Sequence, residues 1–229
     1  MPFLDINNLQ KIYSEGSANE TKALDDINLN FSEGEFIVLS GPSGSGKTTL
    51  LNLIGGLDSV SNGSVTLDGT TLTDLDEAQL SNERLQDIGF VFQAYNLIPV
   101  LTAKENIEYV MALQGVSKTE RTERVLEVAT ILGIDDLLDK RPDEMSGGQQ
   151  QRVAVARAVA SKPKLILADE PTANLDSVTA ENLMNMMAKL NEEENVTIIF
   201  SSHDPMVIGK AKRSVILKDG KIFSNDIKG

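Results

Sequence analysis

Cysteine is absent from the 229 residues, which excludes disulfides, thiolate nucleophiles and zinc sites built on Cys. That absence fits a reducing compartment. Only one histidine, His203, is present. No apolar run approaches the roughly 18–20 residues of a membrane span. The opening residues Met-Pro-Phe-Leu-Asp-Ile-Asn-Asn carry neither the basic region nor the apolar stretch of a signal peptide. The expectation is therefore a cytoplasmic soluble protein that meets a membrane only through a partner. Basic residues are outnumbered, 21 against 34, for a net charge of −13. A nucleic-acid partner is not expected, because neutralising phosphates needs clustered Lys and Arg. A small anionic ligand stays open, since one local pocket can be positive on an acidic surface.

Hydrophobic residues make up 41% of the chain, enough for a sizeable core. Short runs of Val, Ile, Leu and Phe at Phe36–Ser40, Ile88–Phe92, Lys164–Ala168, Thr197–Ser201 and Ser214–Lys218 show little alternation, as in strands covered on both faces. Helical patterns lie between them, at Thr48–Gly55, Glu120–Leu132, Gln149–Ala160 and Glu181–Leu190. Strands alternating with helices argue for an α/β parallel sheet. The N-terminal third also holds hairpin-like pieces such as Gly63–Gly69. Residues from about 94 to 140 read as mainly helical, an insertion in the α/β core. Met184, Met186 and Met187 are read as core packing.

The sharpest motif is Gly41-Pro42-Ser43-Gly44-Ser45-Gly46-Lys47-Thr48, a G-x-x-x-x-G-K-[ST] phosphate loop. An apolar strand precedes it and a helix beginning Thr48-Thr49 follows, as the motif requires. Its glycines let the backbone curl so that successive N–H groups face one concavity at a helix N-terminus. Lys47 supplies a charge for β/γ-phosphates, and the Thr48 hydroxyl can ligate Mg2+. A plain Gly/Ser turn would not require Lys-Thr at that place. Further on, Leu165-Ile-Leu-Ala-Asp-Glu170 is an apolar strand ending in carboxylates. Asp169 there suits Mg2+, and Glu170 suits polarising an attacking water.

The segment Met145-Ser146-Gly147-Gly148-Gln149-Gln-Gln-Arg152 resembles the signature loop of ATP-binding cassette ATPases, and it too sets backbone N–H groups at a helix start. The resemblance continues in order along essentially the whole chain. Gln93 is similar to the glutamine of the Q-loop, Ala173-Asn-Leu-Asp176 to the D-loop, His203 to the switch histidine, and Tyr13 to the aromatic that stacks on adenine. Gly55-Gly-Leu-Asp58, the stretch Gly89–Pro99 and Leu101-Thr-Ala-Lys-Glu-Asn106 resemble the branch with lipoprotein-releasing (LolD-type) and macrolide-exporter (MacB-type) ATPases. Met145 replaces the commoner Leu, and Ala173 stands where this branch often has Gly.

That resemblance implies a P-loop NTPase (RecA-like) α/β core with an N-terminal antiparallel β subdomain and an inserted α-helical subdomain. The expected layout is residues 1–93 and 161–229 for the core and 94–160 for the insert. It further implies a Mg2+-dependent ATPase that works as a head-to-tail homodimer. Each ATP would lie between one chain's P-loop and the other's Ser146, Gly147, Gly148 and Gln149, with Asp176 near the dimer interface. In this reading Glu170 is general base or water orienter, His203 steadies the γ-phosphate, and Gln93, Thr48 and Asp169 attend the metal. A separate integral membrane permease would dock near Ala94–Leu101, holding the chain at the cytoplasmic face of the membrane. Tyr95, Leu97, Ile98 and Pro99 offer an apolar seat there, although they could equally pack the insert on the core. A cassette ATPase serving a non-transporting membrane partner, of the cell-division type, stays open, as does a nucleotide-binding module without turnover.

Overall fold

Residues 2–227 are described here in a computed structural model. The chain runs β1 (Leu4–Tyr13), β2 (Thr21–Phe31), β3 (Phe36–Ser40), α1 (Lys47–Ile54), β4 (Asn62–Leu67) and β5 (Thr70–Thr71). It continues with α2 (Glu77–Asp87), β6 (Ile88–Val91), α3 (Ala103–Leu113), α4 (Lys118–Leu132), α5 (Gly147–Ala160) and β7 (Leu165–Ala168). The last elements are α6 (Ser177–Glu194), β8 (Thr197–Ser201), α7 (Pro205–Lys210), β9 (Arg213–Lys218) and β10 (Lys221–Ile227).

Unbroken apolar runs become central strands because both of their faces are covered. β3, β7 and β8 are buried at every residue. They lie inside a six-stranded sheet ordered β10-β9-β3-β8-β7-β6, parallel throughout except for the antiparallel edge β10. Alternation along a strand divides its side chains between two cores. Ile37, Leu39, Leu165, Leu167 and Ile199 pack on α1 and on the four-stranded antiparallel sheet β2-β1-β4-β5. Phe36, Val38, Ile166, Ile198 and Phe200 pack on the opposite side. There they share one continuous apolar cluster with Ile107 of α3, Val128 of α4, Val153 of α5 and Leu183 of α6. Each such side chain contributes about 1.5–3 kcal/mol on burial, so the helical segment and the sheet stabilise each other.

Helices α3, α4 and α5 each start on a capping box, with Thr102, Ser117 and Ser146 as the caps. Such a cap satisfies otherwise unpaired N–H groups. At the junction of α4 with the core, the buried Arg124 spreads its guanidinium between two groups of acceptors. It donates to the Val159 and Ala160 carbonyls at the end of α5, and to the carboxylates of Glu127 and Glu194. Met184 and Met187 are buried in the core and Met186 packs partly against it. Helix α6 runs well beyond the expected Glu181–Leu190 in both directions.

Candidate functional site

The loop between β3 and α1 leaves the carboxyl end of a central parallel strand, where open α/β sheets place their ligands. Three of its glycines have positive φ, Gly41 at 137°, Gly44 at 76° and Gly46 at 103°. At Gly41 a side chain is impossible, since a Cβ would stand 2.1 Å from the Leu217 carbonyl oxygen. The Lys47 Nζ donates to the Gly41 and Pro42 carbonyls at 2.9 and 3.1 Å, folding its charge over the loop. The Ser45 hydroxyl is buried among these residues with no hydrogen-bond partner. Ser43, Gly44, Ser45, Gly46, Lys47, Thr48 and Thr49 line a cleft of about 400 Å³ together with Glu170 and Lys22. A ring of backbone amides with a buried cation at a helix start fits a polyphosphate.

Opposite the loop, β7 is followed directly by Asp169 and Glu170. The Thr48 hydroxyl donates to Asp169 Oδ1 at 3.1 Å, so α1 and β7 converge on one carboxylate oxygen. The Ser201 hydroxyl, from the end of β8, donates to the same oxygen at 2.7 Å and accepts the Glu170 amide at 2.8 Å. Glu170 itself holds a left-handed backbone with φ 44°, an uncommon conformation for a residue with a side chain. Its Oε1 lies 3.1 Å from His203 Nδ1. Among the described residues no group of three or more His, Cys, Asp or Glu could cage a metal. The hard oxygen pair of Thr48 and Asp169, 3.1 Å apart, fits a cation that takes few protein ligands and fills the rest from phosphate and water. Mg2+ binds in that way.

The remaining expected residues form a second group. Gln93 is exposed, and its carbonyl accepts from the Asn174 amide. Asp176 caps α6, accepting from the Val178 and Thr179 amides and the Thr179 hydroxyl. Those bonds, the Thr179 hydroxyl first, hold its carboxyl below the usual range. Ser146 and Gln149 pair in the cap of α5. A Cβ on Gly147 would reach the Tyr95 hydroxyl at 2.8 Å, and one on Gly148 would meet Thr179 of α6 at 2.8 Å. None of Ser146, Gly147, Gly148 and Gln149 lines the cleft of the P-loop.

Tyr13 also lies outside the lining of that cleft, with its ring partly exposed and its hydroxyl donating to Asp58 at 2.8 Å. Lys11 donates to the other Asp58 oxygen at 2.7 Å, and its ammonium sits 4.8 Å from the centre of the Tyr13 ring. Burial alone would raise the Asp58 carboxyl, but the bonds from Lys11, Tyr13 and the Ser59 amide outweigh it and hold it below the usual range. Tyr13 stands out in the sequence, whereas Lys11, Asp58 and Ser201 carry no motif that marks them as partners of the site. Asp58 was nonetheless within reach, because it closes the Gly-Gly-Leu-Asp run.

A separate groove of about 460 Å³ opens between α2, β6, α3 and α5, lined among others by Leu57, Phe90, Phe92, Ile98, Tyr109 and Arg157. Of the apolar residues expected there, Ile98 lines it, whereas Leu97 packs against the core. At its rim, Tyr95 and Asn96 turn through left-handed φ values of 60° and 50°. The Arg157 guanidinium from α5 binds both of their carbonyls, at 2.9 and 2.5 Å. Burial pushes the pKa of that guanidinium downward from its ordinary value.

Residues 24–173 match the family described as ABC transporter. Over 223 residues the chain is 44% identical to an uncharacterized ABC transporter ATP-binding protein, MJ0796 of Methanocaldococcus jannaschii, covering 96% of this chain and 94% of that one. It is 41% identical to the bacitracin export ATP-binding protein BceA of Halalkalibacterium halodurans, covering 100% of this chain and 90% of the relative. The macrolide export ATP-binding/permease protein MacB of Aggregatibacter actinomycetemcomitans is 42% identical across 98% of this chain, which corresponds to 35% of that longer protein. Among solved structures, the dimeric MJ0796 cassette superposes with a TM-score of 0.90 at 43% identity, covering 98% of both chains. A post-hydrolysis dimer of the same cassette bound to ADP and Pi matches equally well.

Proposed function

The chain belongs to the ABC transporter family of ATP-binding subunits, and from that premise we propose a Mg2+-dependent ATPase that closes as a head-to-tail homodimer to drive a membrane permease. ATP hydrolysis by a cassette subunit is the family's activity. The observation that carries the finer reading is the convergence of Thr48, Asp169, Glu170 and His203 on one side of the P-loop.

Positioning and electrostatics supply most of the catalysis of phosphoryl transfer, because no bond to the protein forms. In this reading the loop amides and Lys47 hold the phosphates of ATP, and Tyr13 is assigned to the base. Thr48 and Asp169 would hold Mg2+, with Gln93 assigned to the same ion, and the bound cation would supply charge neutralisation for the phosphate oxygens. Glu170 orients a water and takes up its proton. The His203 imidazole, in contact with Glu170, steadies that carboxylate and the γ-phosphate. Ser146, Gly147, Gly148 and Gln149, exposed or half-buried away from their own P-loop, suit a nucleotide held by a second copy, with Asp176 at the seam.

The permease is assigned to the groove lined by Leu57, Phe92, Ile98 and Tyr109, beside the segment 94–101. Among the described residues no helix is long and apolar enough to cross a membrane, and the MacB relative joins both functions in one chain. Docking of this kind would hold the chain at the cytoplasmic membrane face. The relatives named for bacitracin and macrolide export make export the transport direction we propose.

Glu170→Gln tests the reading, since it keeps shape while removing the carboxylate charge. It should bind ATP, lose at least about 100-fold in turnover, and sediment as a dimer with saturating Mg-ATP. A variant that stays monomeric under those conditions, or that hydrolyses ATP at the parent rate, overturns the proposal.

A further inference from the structure

Ser201 stands at the end of a strand whose other central members, Ile198, Ile199 and Phe200, are apolar and buried. Its side chain is fully buried, at 0% exposure, and a hydroxyl is costly to place there unless it is bonded. It makes two bonds, and both reach the end of β7. The O–H donates to Asp169 Oδ1 at 2.7 Å, and the same oxygen accepts the backbone N–H of Glu170 at 2.8 Å. Parallel pairing puts Ala168 beside Phe200, so Ser201 flanks the point where β7 leaves the sheet. Glu170 turns into its left-handed conformation there, which surrounding bonds must maintain.

We propose that Ser201 is a positioning residue for both functional carboxylates, fixing Asp169 toward Thr48 for the metal and holding the Glu170 backbone so that its side chain meets His203. The inference rests on the reading of Asp169 as a metal ligand and deepens it. Asp169 Oδ1 receives hydroxyls from two elements, Thr48 of α1 and Ser201 of β8. Thr48 is itself a proposed metal ligand, so the bond to Ser201 is the one that does not have to change when the metal binds. His203 follows Ser201 by two residues on the same strand exit. The serine thus ties the γ-phosphate sensor, the metal carboxylate and the water-orienting carboxylate into one rigid unit. A strand residue of apolar type would bury equally well and supply neither bond.

The test compares Ser201→Ala, Asp169→Asn and the double variant. It uses a fluorescent ATP analogue titrated in EDTA and again with increasing Mg2+, together with hydrogen exchange across residues 168–171. Loss of a hydrogen bond to a charged group should raise the half-saturating Mg2+ of Ser201→Ala about tenfold, with Mg2+-free binding within about twofold of the parent. Exchange at the Glu170 amide should rise at least about tenfold as its acceptor is lost. In the Asp169→Asn background the serine change should add nothing to the Mg2+ dependence, as expected for two groups in one network. Ser201→Cys, of similar shape and much weaker in hydrogen bonding, should shift Mg2+ dependence in the same direction if the alanine variant folds poorly. An Mg2+ dependence that responds to Asp169→Asn and ignores both serine variants overturns the role of Ser201 alone. One that ignores Asp169→Asn as well overturns the metal reading beneath it. Equal weakening of binding with and without Mg2+ reduces Ser201 to a merely structural residue and also refutes the proposal.

Discussion

Replacing Arg124 with Met removes a charge and a planar fork while keeping an apolar stem of similar length. The guanidinium is 7% exposed and meets Glu194, itself 21% exposed, with two short bonds of 2.8 and 3.1 Å. Two carbonyls at the end of α5 lose their donor in the same step. Breaking a buried pair from one side costs about 3–5 kcal/mol because the other charge is left unpaired. Here water can reach Glu194 in part, and Glu127 is largely exposed, so the cost falls to about 2–3 kcal/mol. For a chain of this size each kcal/mol moves the midpoint by about 2–4 °C, giving a drop of about 4–12 °C. Arg124→Lys should recover only part of it, since an ammonium cannot grip two carboxylate oxygens and two carbonyls at once. Differential scanning calorimetry of the three proteins reads the effect directly. A midpoint for the Met variant within about 1 °C of the parent would refute the view that this cluster fastens α4 to the core.

Further tests follow from the two surfaces beside the site. Asp58, whose folded carboxyl lies below its ordinary value, contributes stability that is present above about pH 4 and fades as pH falls through the lowered folded value. Asp58→Asn should therefore melt slightly below the parent at pH 7, by about 1 kcal/mol or less given the partial exposure, and the gap should close as pH falls through the lowered folded value. A gap that widens on acidification would contradict the assignment. In the groove, Tyr109→Asp should leave the melting temperature of the isolated chain unchanged, because the ring is 43% exposed. It should reduce the share of the chain that sediments with membranes of its own cells; unchanged sedimentation counts against docking there.

Strands β3, β6, β7, β8 and β9 were legible because covered strands are written as unbroken apolar runs. The exit loops carrying the motifs follow from them in order. Other elements left fainter marks. In β1 the pairing slips between Ile6 and Leu9 and again near Lys11, with Asn8 in a left-handed conformation, so alternation is lost within the strand. Helix α2 buries no residue, and a helix held by its Asp76 capping box and by Arg84 has no apolar stripe to read. β10 is an antiparallel edge strand with mostly exposed side chains. Helix α6 starts at Ser177 because Asp176 caps it, whereas that aspartate reads in sequence as the end of a loop. Within the site, residues named by motif were readable. Ser201, Lys11 and Arg157 were not, because each acts on groups 31 to 62 residues away, which only the fold brings near.

The turn at Tyr95 and Asn96 has a mechanical consequence. Its two carbonyls are gripped by a cation rooted in α5, the helix whose first residues carry Gly147 and Gly148. The hydroxyl end of the Tyr95 side chain also abuts Gly147, and Asn174 ties the neighbouring Gln93 carbonyl to the segment leading into α6. The groove rim is thus joined by polar links to α5 and to the approach of α6. If the groove seats a partner as proposed, the rim would act as a crank, carrying a push from outside to Gly147 and Gly148 at the start of α5.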